Sequence, residues 1–369
     1  MDRTAPRAVL PLTAFAEGAP DYPPIAQRPA LRSRSLRSRR GPRGIEFWQG
    51  VAMNRLRVAV AGVGSLGQHH ARIAAASEQA ELVAVVDPDQ ARGTEIAQKF
   101  GTTWIPQLDE ILNQVDAVQI AAPTGFHHAL GVKVLKAGKH LIMEKPLAAS
   151  LSEGEALLAA LSEARPGLVA AVGHLERFNP AVQALRALNF VPRFAEAIRV
   201  SPFPMRSMEV DVIMDVMIHD LDLLLALVGR PVASVEAVGV PVLTKHADVV
   251  NARLKFQGGG FATVTASRVA RKKERTLRAF ADGAYVSLDF AAQKLEYLRL
   301  IVGPKGPQIQ AETVEIVEGE PLKLELEAFY AACLGQGDEF VTWKDAFEAM
   351  RVADQVQKSV AQSLAEMEA

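Results

Sequence analysis

The run Leu56-Arg57-Val58-Ala59-Val60-Ala61 is apolar and β-rich, and it passes through glycines into a segment of helical periodicity over residues 68–76. Further short apolar runs at 81–86, 117–121, 140–143 and 168–172 alternate with helix-like segments such as 90–100 and 126–137. This alternation predicts an α/β domain over 55–174, a parallel sheet covered by helices on both faces. Past residue 174 the pattern changes. A helix is expected over 180–188, a strand over 195–200 and a long apolar helix over 210–228. Strands then follow at 235–242, 249–256, 261–269, 276–281, 285–290 and 295–302, with turn residues such as Gly258-Gly259-Gly260 and Asp282-Gly283 between them. Short turns predict antiparallel neighbours. Helices over 322–334 and 343–364 close a second, α+β domain over 175–369, and no internal repeat is present.

Composition narrows the class. The chain has 369 residues, 49% hydrophobic and 22% charged, enough for two cores. A formal net charge of -1 argues against a nucleic-acid or anionic-membrane binder, which needs a basic excess, and points to a small-molecule partner. Cys333 is the sole cysteine, which rules out an intrachain disulfide or a cysteine-rich zinc site and suits a cytoplasmic setting. The most apolar stretch is broken by Asp215, His219, Asp220 and Asp222, so no membrane span is expected.

The charge is uneven. Residues 1–54 carry nine arginines and no lysine against four acids, a net of +5 that leaves -6 for the remainder. This stretch, which includes Leu31-Arg32-Ser33-Arg34-Ser35-Leu36-Arg37-Ser38-Arg39-Arg40, lacks apolar periodicity and reads as a disordered basic extension. Its functional alternatives are a nucleic-acid arm or an organellar transit peptide. The plainer one is a leader outside the native protein, because Met53 stands just before the first strand.

Candidate chemistry begins at Gly62-Val63-Gly64-Ser65-Leu66-Gly67, which follows a strand and opens a helix. The first glycine permits the turn, the second lets a pyrophosphate approach the backbone, and the third allows helix and strand to pack. Amides at the helix N-terminus, Ser65 and Leu66 included, then face the phosphates. Asp87 lies 20 residues beyond Gly67, where a carboxylate binds ribose hydroxyls and repels a 2′-phosphate. NAD is therefore favoured, although Arg92 nearby keeps NADP open, and Asp87 could simply begin a turn. Pro123, Thr124 and His127 follow the fourth strand at the ligand-binding edge, where Thr124 is either a ribose contact or a helix cap. Glu144-Lys145-Pro146 ends the next strand and brings an amine to the same edge.

In the second domain Asp211, Asp215, His219 and Asp222 recur at helical spacing, with Asp215 and His219 at i and i+4. A carboxylate beside an imidazole orients it and makes it a better base. A solvated helix face and a zinc site are the alternatives, and the reading adopted carries no metal.

In this order the motifs resemble the Gfo/Idh/MocA oxidoreductases over about residues 55–364. The resemblance implies a Rossmann domain for NAD or NADP, an open-faced, mostly antiparallel sheet that closes the substrate cleft, and homo-oligomers. It also implies catalytic roles for Lys145, Asp215 and His219. The glycine cluster often found before the catalytic aspartate is replaced here by Glu209-Val210-Asp211-Val212-Ile213-Met214. Val172-Gly173-His174-Leu175-Glu176-Arg177-Phe178-Asn179-Pro180 and Ala266-Ser267-Arg268 are similar to members of lipid A sugar biosynthesis, which implies oxidation of the 3-hydroxyl of UDP-N-acetylglucosamine. Arg177, Asn179, Asp211, Arg268 and Arg271 become candidate substrate contacts, arginine forks suiting phosphate. In the expected mechanism His219, oriented by Asp215, takes the hydroxyl proton while Lys145 holds the carbinol oxygen; lysine as base is the alternative. An inositol or aldose dehydrogenase, or a nicotinamide-bound sensor without turnover, are the competing functions.

Overall fold

The structure, a computed structural model, describes residues 55–203, 211–304 and 306–368. The basic extension and the expected helix start at residue 210 lie outside them.

Parallel strands β1 (Leu56–Ala61), β2 (Ala80–Val86), β3 (Thr103–Ile105), β4 (Ala117–Ile120), β5 (His140–Glu144) and β6 (Ala170–Gly173) form a sheet of order β3-β2-β1-β4-β5-β6. Helices α1 (Gly67–Ala76), α2 (Gln90–Phe100), α3 (His127–Lys136) and α4 (Leu151–Glu163) connect them. Strands such as β4 and β6 are buried at every position, as a sheet covered on both faces requires. The order reverses between β1 and β4, and there the carboxyl ends of the strands leave a crevice.

After α5 (Pro180–Ala187) the chain builds an eight-stranded sheet from β7 (Phe194–Val200), β8 (Val232–Val240), β9 (Val249–Phe256), β10 (Phe261–Ser267), β11 (Glu274–Ala281), β12 (Ala284–Asp289), β13 (Lys294–Gly303) and β14 (Gly306–Glu312). Its order is β14-β13-β12-β11-β7-β10-β9-β8. Pairing is antiparallel as expected, except that β7 inserts in parallel beside β10. That insertion follows from β7 entering before the hairpin series, with a helix between. One face of this sheet packs on a π-helical turn (Ile213–Met217) and α6 (Ile218–Val228); β7 and β9 accordingly alternate buried with less buried positions.

The closing helices return to the first sheet. Leu326, Phe329 and Tyr330 of α7 (Pro321–Cys333) share a core with Leu56, Val58 and Ala171. Helix α8 (Trp343–Glu368) spans both cores: Trp343, Ala346 and Met350 pack with Val172 and Leu157, while Val352, Val356 and Val360 pack with Val250 and Ala237. Among the described residues no helix is long and apolar enough to cross a membrane.

Candidate active site

The glycine loop has the geometry its spacing predicts. Gly62 sits at φ +84°, and a Cβ there would stand 2.7 Å from the Ala122 backbone. A Cβ on Gly67 would meet the Gly62 carbonyl oxygen at 1.8 Å. Around Gly64 no atom lies within 4 Å of the Cβ position, so no protein contact demands a glycine there, and the open space suits a pyrophosphate drawn close to the backbone. Ser65 and Leu66 are exposed beside it, as is Pro123, and the half-buried Thr124 hydroxyl is unbonded. These residues form a cradle that fits a dinucleotide.

Asp87 closes the far side of the cradle. Its Oδ2 accepts from the Val63 amide at 2.9 Å, and Arg92 forks onto both oxygens at 3.2 and 2.9 Å. Burial opposes its charge, but Arg92 and the Val63 and Asp89 amides together hold the carboxyl below its usual range. The carboxylate thus faces the glycine loop with a half-exposed guanidinium at its shoulder.

At the carboxyl end of β5, Lys145 Nζ donates to the Asp215 carbonyl at 2.7 Å and lies 3.4 Å from its Oδ1. The Lys145–Pro146 peptide is cis. The expected pairing of Asp215 with His219 is not formed: the aspartate turns to the lysine, and His219 Nδ1 is buried with no hydrogen-bond partner. Asp215 lies in a π-helical turn over Ile213–Met217, and from there its carbonyl and carboxylate both meet Lys145. Burial first, then the cations Lys145 and Arg199, push the His219 imidazole well below its ordinary value. The imidazole is therefore held neutral within electrostatic reach of Lys145.

Several other expected ligand contacts are held inside the protein instead. Glu144 turns inward to His70 Nε2 at 2.8 Å, and His127 places its ring nitrogens 2.8 and 2.9 Å from the Pro146 and Ala122 carbonyls. Asp211 caps the π-helical turn by accepting from the Ile213 and Met214 amides, each at 2.9 Å. Asn179 caps α5 and donates to the Phe290 carbonyl at 3.0 Å. Arg177 is forked on Asp222 at 2.7 and 2.6 Å, so the supposed polar stripe of residues 211, 215, 219 and 222 is split among separate partners. Arg268 is buried on Asp248 at 2.6 Å. Of the candidate phosphate ligands only Arg271 is exposed. Each correction has one reason: buried polar groups must be paired, and near partners were available.

Residues that belong to none of the sequence motifs also surround the site. Arg275 and Arg199, cross-strand partners on β11 and β7, lie within electrostatic reach of His219. Arg199 is itself clasped by Asp220 at 2.9 and 2.8 Å and by Glu176 at 2.7 Å. His70 links Glu144 to Gln119, which donates to the Tyr330 hydroxyl at 2.6 Å. The signal for these was the presence of charge within apolar runs, as at Asp220.

Comparison with known proteins agrees with this geometry. A profile for an oxidoreductase family with an NAD-binding Rossmann fold matches residues 56–174, and a GFO/IDH/MocA C-terminal domain profile matches 202–287. The UDP-N-acetylglucosamine 3-dehydrogenase of Acidithiobacillus ferrooxidans is 39% identical over 283 residues, 76% of this chain and 89% of that protein. Its solved structure superposes with a TM-score of 0.78 at 37% identity, covering 84% of this chain and 98% of that one. The scyllo-inositol 2-dehydrogenase (NAD(+)) of Bacillus subtilis is 30% identical over 236 residues, 59% of this chain and 68% of that protein. A levoglucosan dehydrogenase solved with NADH and levoglucosan, at 19% identity, shares the fold with a TM-score of 0.75 over 84% of this chain and 98% of that one. With the dinucleotide cradle, the lysine at the end of β5 and both domain profiles in register, the chain belongs to the Gfo/Idh/MocA family of oxidoreductases.

Proposed function

We propose that this enzyme oxidises a secondary alcohol of a nucleotide sugar with NAD, the substrate being UDP-N-acetylglucosamine and the group its 3-hydroxyl. The observation that carries the chemistry is the meeting of Lys145 with Asp215 beside the neutral His219 at the carboxyl edge of the first sheet. The substrate rests on the similarity to the Acidithiobacillus enzyme across most of its length. When bound in the cradle of Gly62, Gly64, Ser65, Leu66, Gly67, Asp87, Pro123 and Thr124, NAD supplies the hydride acceptor.

The residues divide the work as follows. His219 Nδ1 is buried and unpaired, and Nε2 of the neutral imidazole would take the hydroxyl proton. Lys145, held by the Asp215 carbonyl and carboxylate, would donate to the carbinol oxygen as negative charge gathers on it. Arg275 and the exposed Arg271 supply positive charge for a diphosphate in place of Arg177 and Arg268, which are held by Asp222 and Asp248. A homo-oligomer joined through the open face of the eight-stranded sheet and a cytoplasmic setting complete the proposal.

Purified protein with NAD and a panel of UDP-N-acetylglucosamine, inositol, glucose and related sugars tests it by absorbance of the reduced cofactor. Turnover confined to the UDP-sugar is expected. Turnover of a free polyol alone would transfer the assignment to the inositol dehydrogenases, which the Bacillus relative favours. No turnover with any alcohol would remove the catalytic reading.

A further inference from the structure

Among the described residues, the buried side-chain nitrogens and oxygens without a hydrogen-bond partner belong to three residues only: both ring nitrogens of His174, Nδ1 of His219 and both carboxyl oxygens of Glu325. An unsatisfied buried polar group is destabilising, so proteins pair such groups with one another or through internal water, which needs two to four polar partners. Three residues, one just past β6 and the others on α6 and α7, share this property and call for an explanation. All three are remote in sequence and none lines the dinucleotide cradle.

The His174 ring stands edge-on behind His219, with centroids 6.3 Å apart. That separation is too long for a direct bond and short enough for one water. On its other side His174 Nδ1 lies 3.8 Å from Oδ2 of Asp222. Arg177 grips Asp222 and also lines an open cavity of about 970 Å³ with Arg186, Arg230, Lys344 and Asp345, beyond the C-terminal half of α6. The polar chain therefore runs from the candidate base through the protein to solvent on another face.

We propose that His174 is a relay and positioning residue, which receives through an internal water the proton that His219 takes from the substrate and passes it toward Asp222 and the Arg177 cavity. The inference rests on the alcohol oxidation proposed above. The carbinol carbon is oxidised by loss of hydride to the nicotinamide, and its hydroxyl proton goes to His219 Nε2. His219 then releases its Nδ1 proton to the water and is left neutral with its remaining proton on Nε2; once product leaves, that proton passes to water in the opened cleft while Nδ1 regains one through the same relay, which restores the starting tautomer. His174 accepts a proton at one ring nitrogen and gives one up from the other, so that one proton per turnover reaches solvent. Such an exit is needed because cofactor and sugar would fill the cleft on the Nε2 side.

Electrostatics supports the relay. His174 faces Asp222, Arg177, Lys145, Glu144 and His219, and His219 faces Lys145, Arg199, His174 and Arg275. Burial is the largest influence on both and holds each imidazole below its ordinary value. A neutral ring offers one N–H and one lone pair, the state a relay requires. Glu325 lies within electrostatic reach of Glu144 and Asp222, and burial raises its carboxyl well above the ordinary value.

The test combines His174→Gln and His174→Phe with NAD and UDP-N-acetylglucosamine from pH 6 to 9, in H2O and D2O. Expected is a fall in kcat of about ten- to a hundredfold with KM changed by less than about threefold, and a larger solvent isotope effect than in wild type, since proton release becomes limiting. Unchanged kcat, or a loss with no change in isotope effect, would overturn the relay. Nitrogen-15 NMR of histidine-labelled wild type, without substrate, provides an independent reading that needs no variant to fold. Coupled titration of His174 and His219 is expected, and independent titration of the two would overturn the proposal. Wild type inert toward every alcohol would instead defeat the proposed function, and the NMR result would still decide whether the two rings are coupled.

Discussion

Lys145 lies within electrostatic reach of His219 and, with burial and Arg199, helps hold the imidazole below its ordinary value. Lys145→Met and His219→Gln should each lower kcat by about a hundredfold or more while leaving the thermal unfolding midpoint near wild type. With His219 depressed, the acidic limb of kcat/KM should lie below pH 6.5, the ordinary histidine value, and His219→Gln should abolish that limb. Glu325 predicts a stability effect of opposite kind. Burial, then Glu144 and Asp222, raise its carboxyl well above 4.5, so the folded state keeps a proton that the unfolded chain loses above that pH. Its protonated form stabilises the fold fully below pH 4.5, and that stability drains away as pH rises toward the folded value. Glu325→Gln should therefore raise the melting temperature by about 2–4 °C at pH 8 and leave it unchanged at pH 4, by calorimetry. The lysine was legible in the sequence because it ends a strand in a regular βα series. Glu325 was not, because its significance depends on Glu144 and Asp222, far away in the chain.

At the scale of elements, the loop from β2 to α2 and the π-helical turn decide cofactor and geometry. Arg92 lies on Asp87, so a ribose hydroxyl and a 2′-phosphate would call on different members of the pair. Asp87→Asn should weaken NAD by about tenfold or more with little loss for NADP, and Arg92→Ala should weaken NADP selectively, both measured as kcat/KM. The two amides capped by Asp211 anchor the π-helical turn that aims Asp215 at Lys145. Asp211→Ala should cost about 1–2 kcal/mol in urea unfolding and reduce kcat through displacement of Asp215. Strand and helix positions were readable from apolar periodicity alone for most of the chain. The π-helical turn was not, since its apolar run has the same composition as an α-helix and differs only in which carbonyl each amide finds. Strand β14 was missed because Gly306–Glu312 is polar and exposed, an edge strand specified by its partner β13.

The whole molecule presents an open sheet face whose aromatic row crosses four adjacent strands: Phe261 beside Phe194, Phe194 beside Phe280, and Phe280 beside Tyr285. The Phe194 and Phe280 rings stack at 5.8 Å, and with Phe261 they remain exposed. Covering such a row with a second copy is the economical use of a flat apolar surface. Light scattering should show a multimer for wild type and a smaller species for Phe194→Ser/Phe280→Ser. A doubled substitution that leaves the mass unchanged would move the interface elsewhere.

The return of α7 and α8 to the first sheet carries a different implication. Trp343 donates its indole N–H to the Ala171 carbonyl at 3.1 Å, Thr342 bridges Ala171, and Tyr330 completes the pocket around Gln119. The nucleotide-binding half is therefore not a portable module that could be excised at residue 174 and grafted to another partner. A fragment of residues 55–174 would expose the slots of Phe329, Tyr330 and Trp343 as a sticky apolar surface.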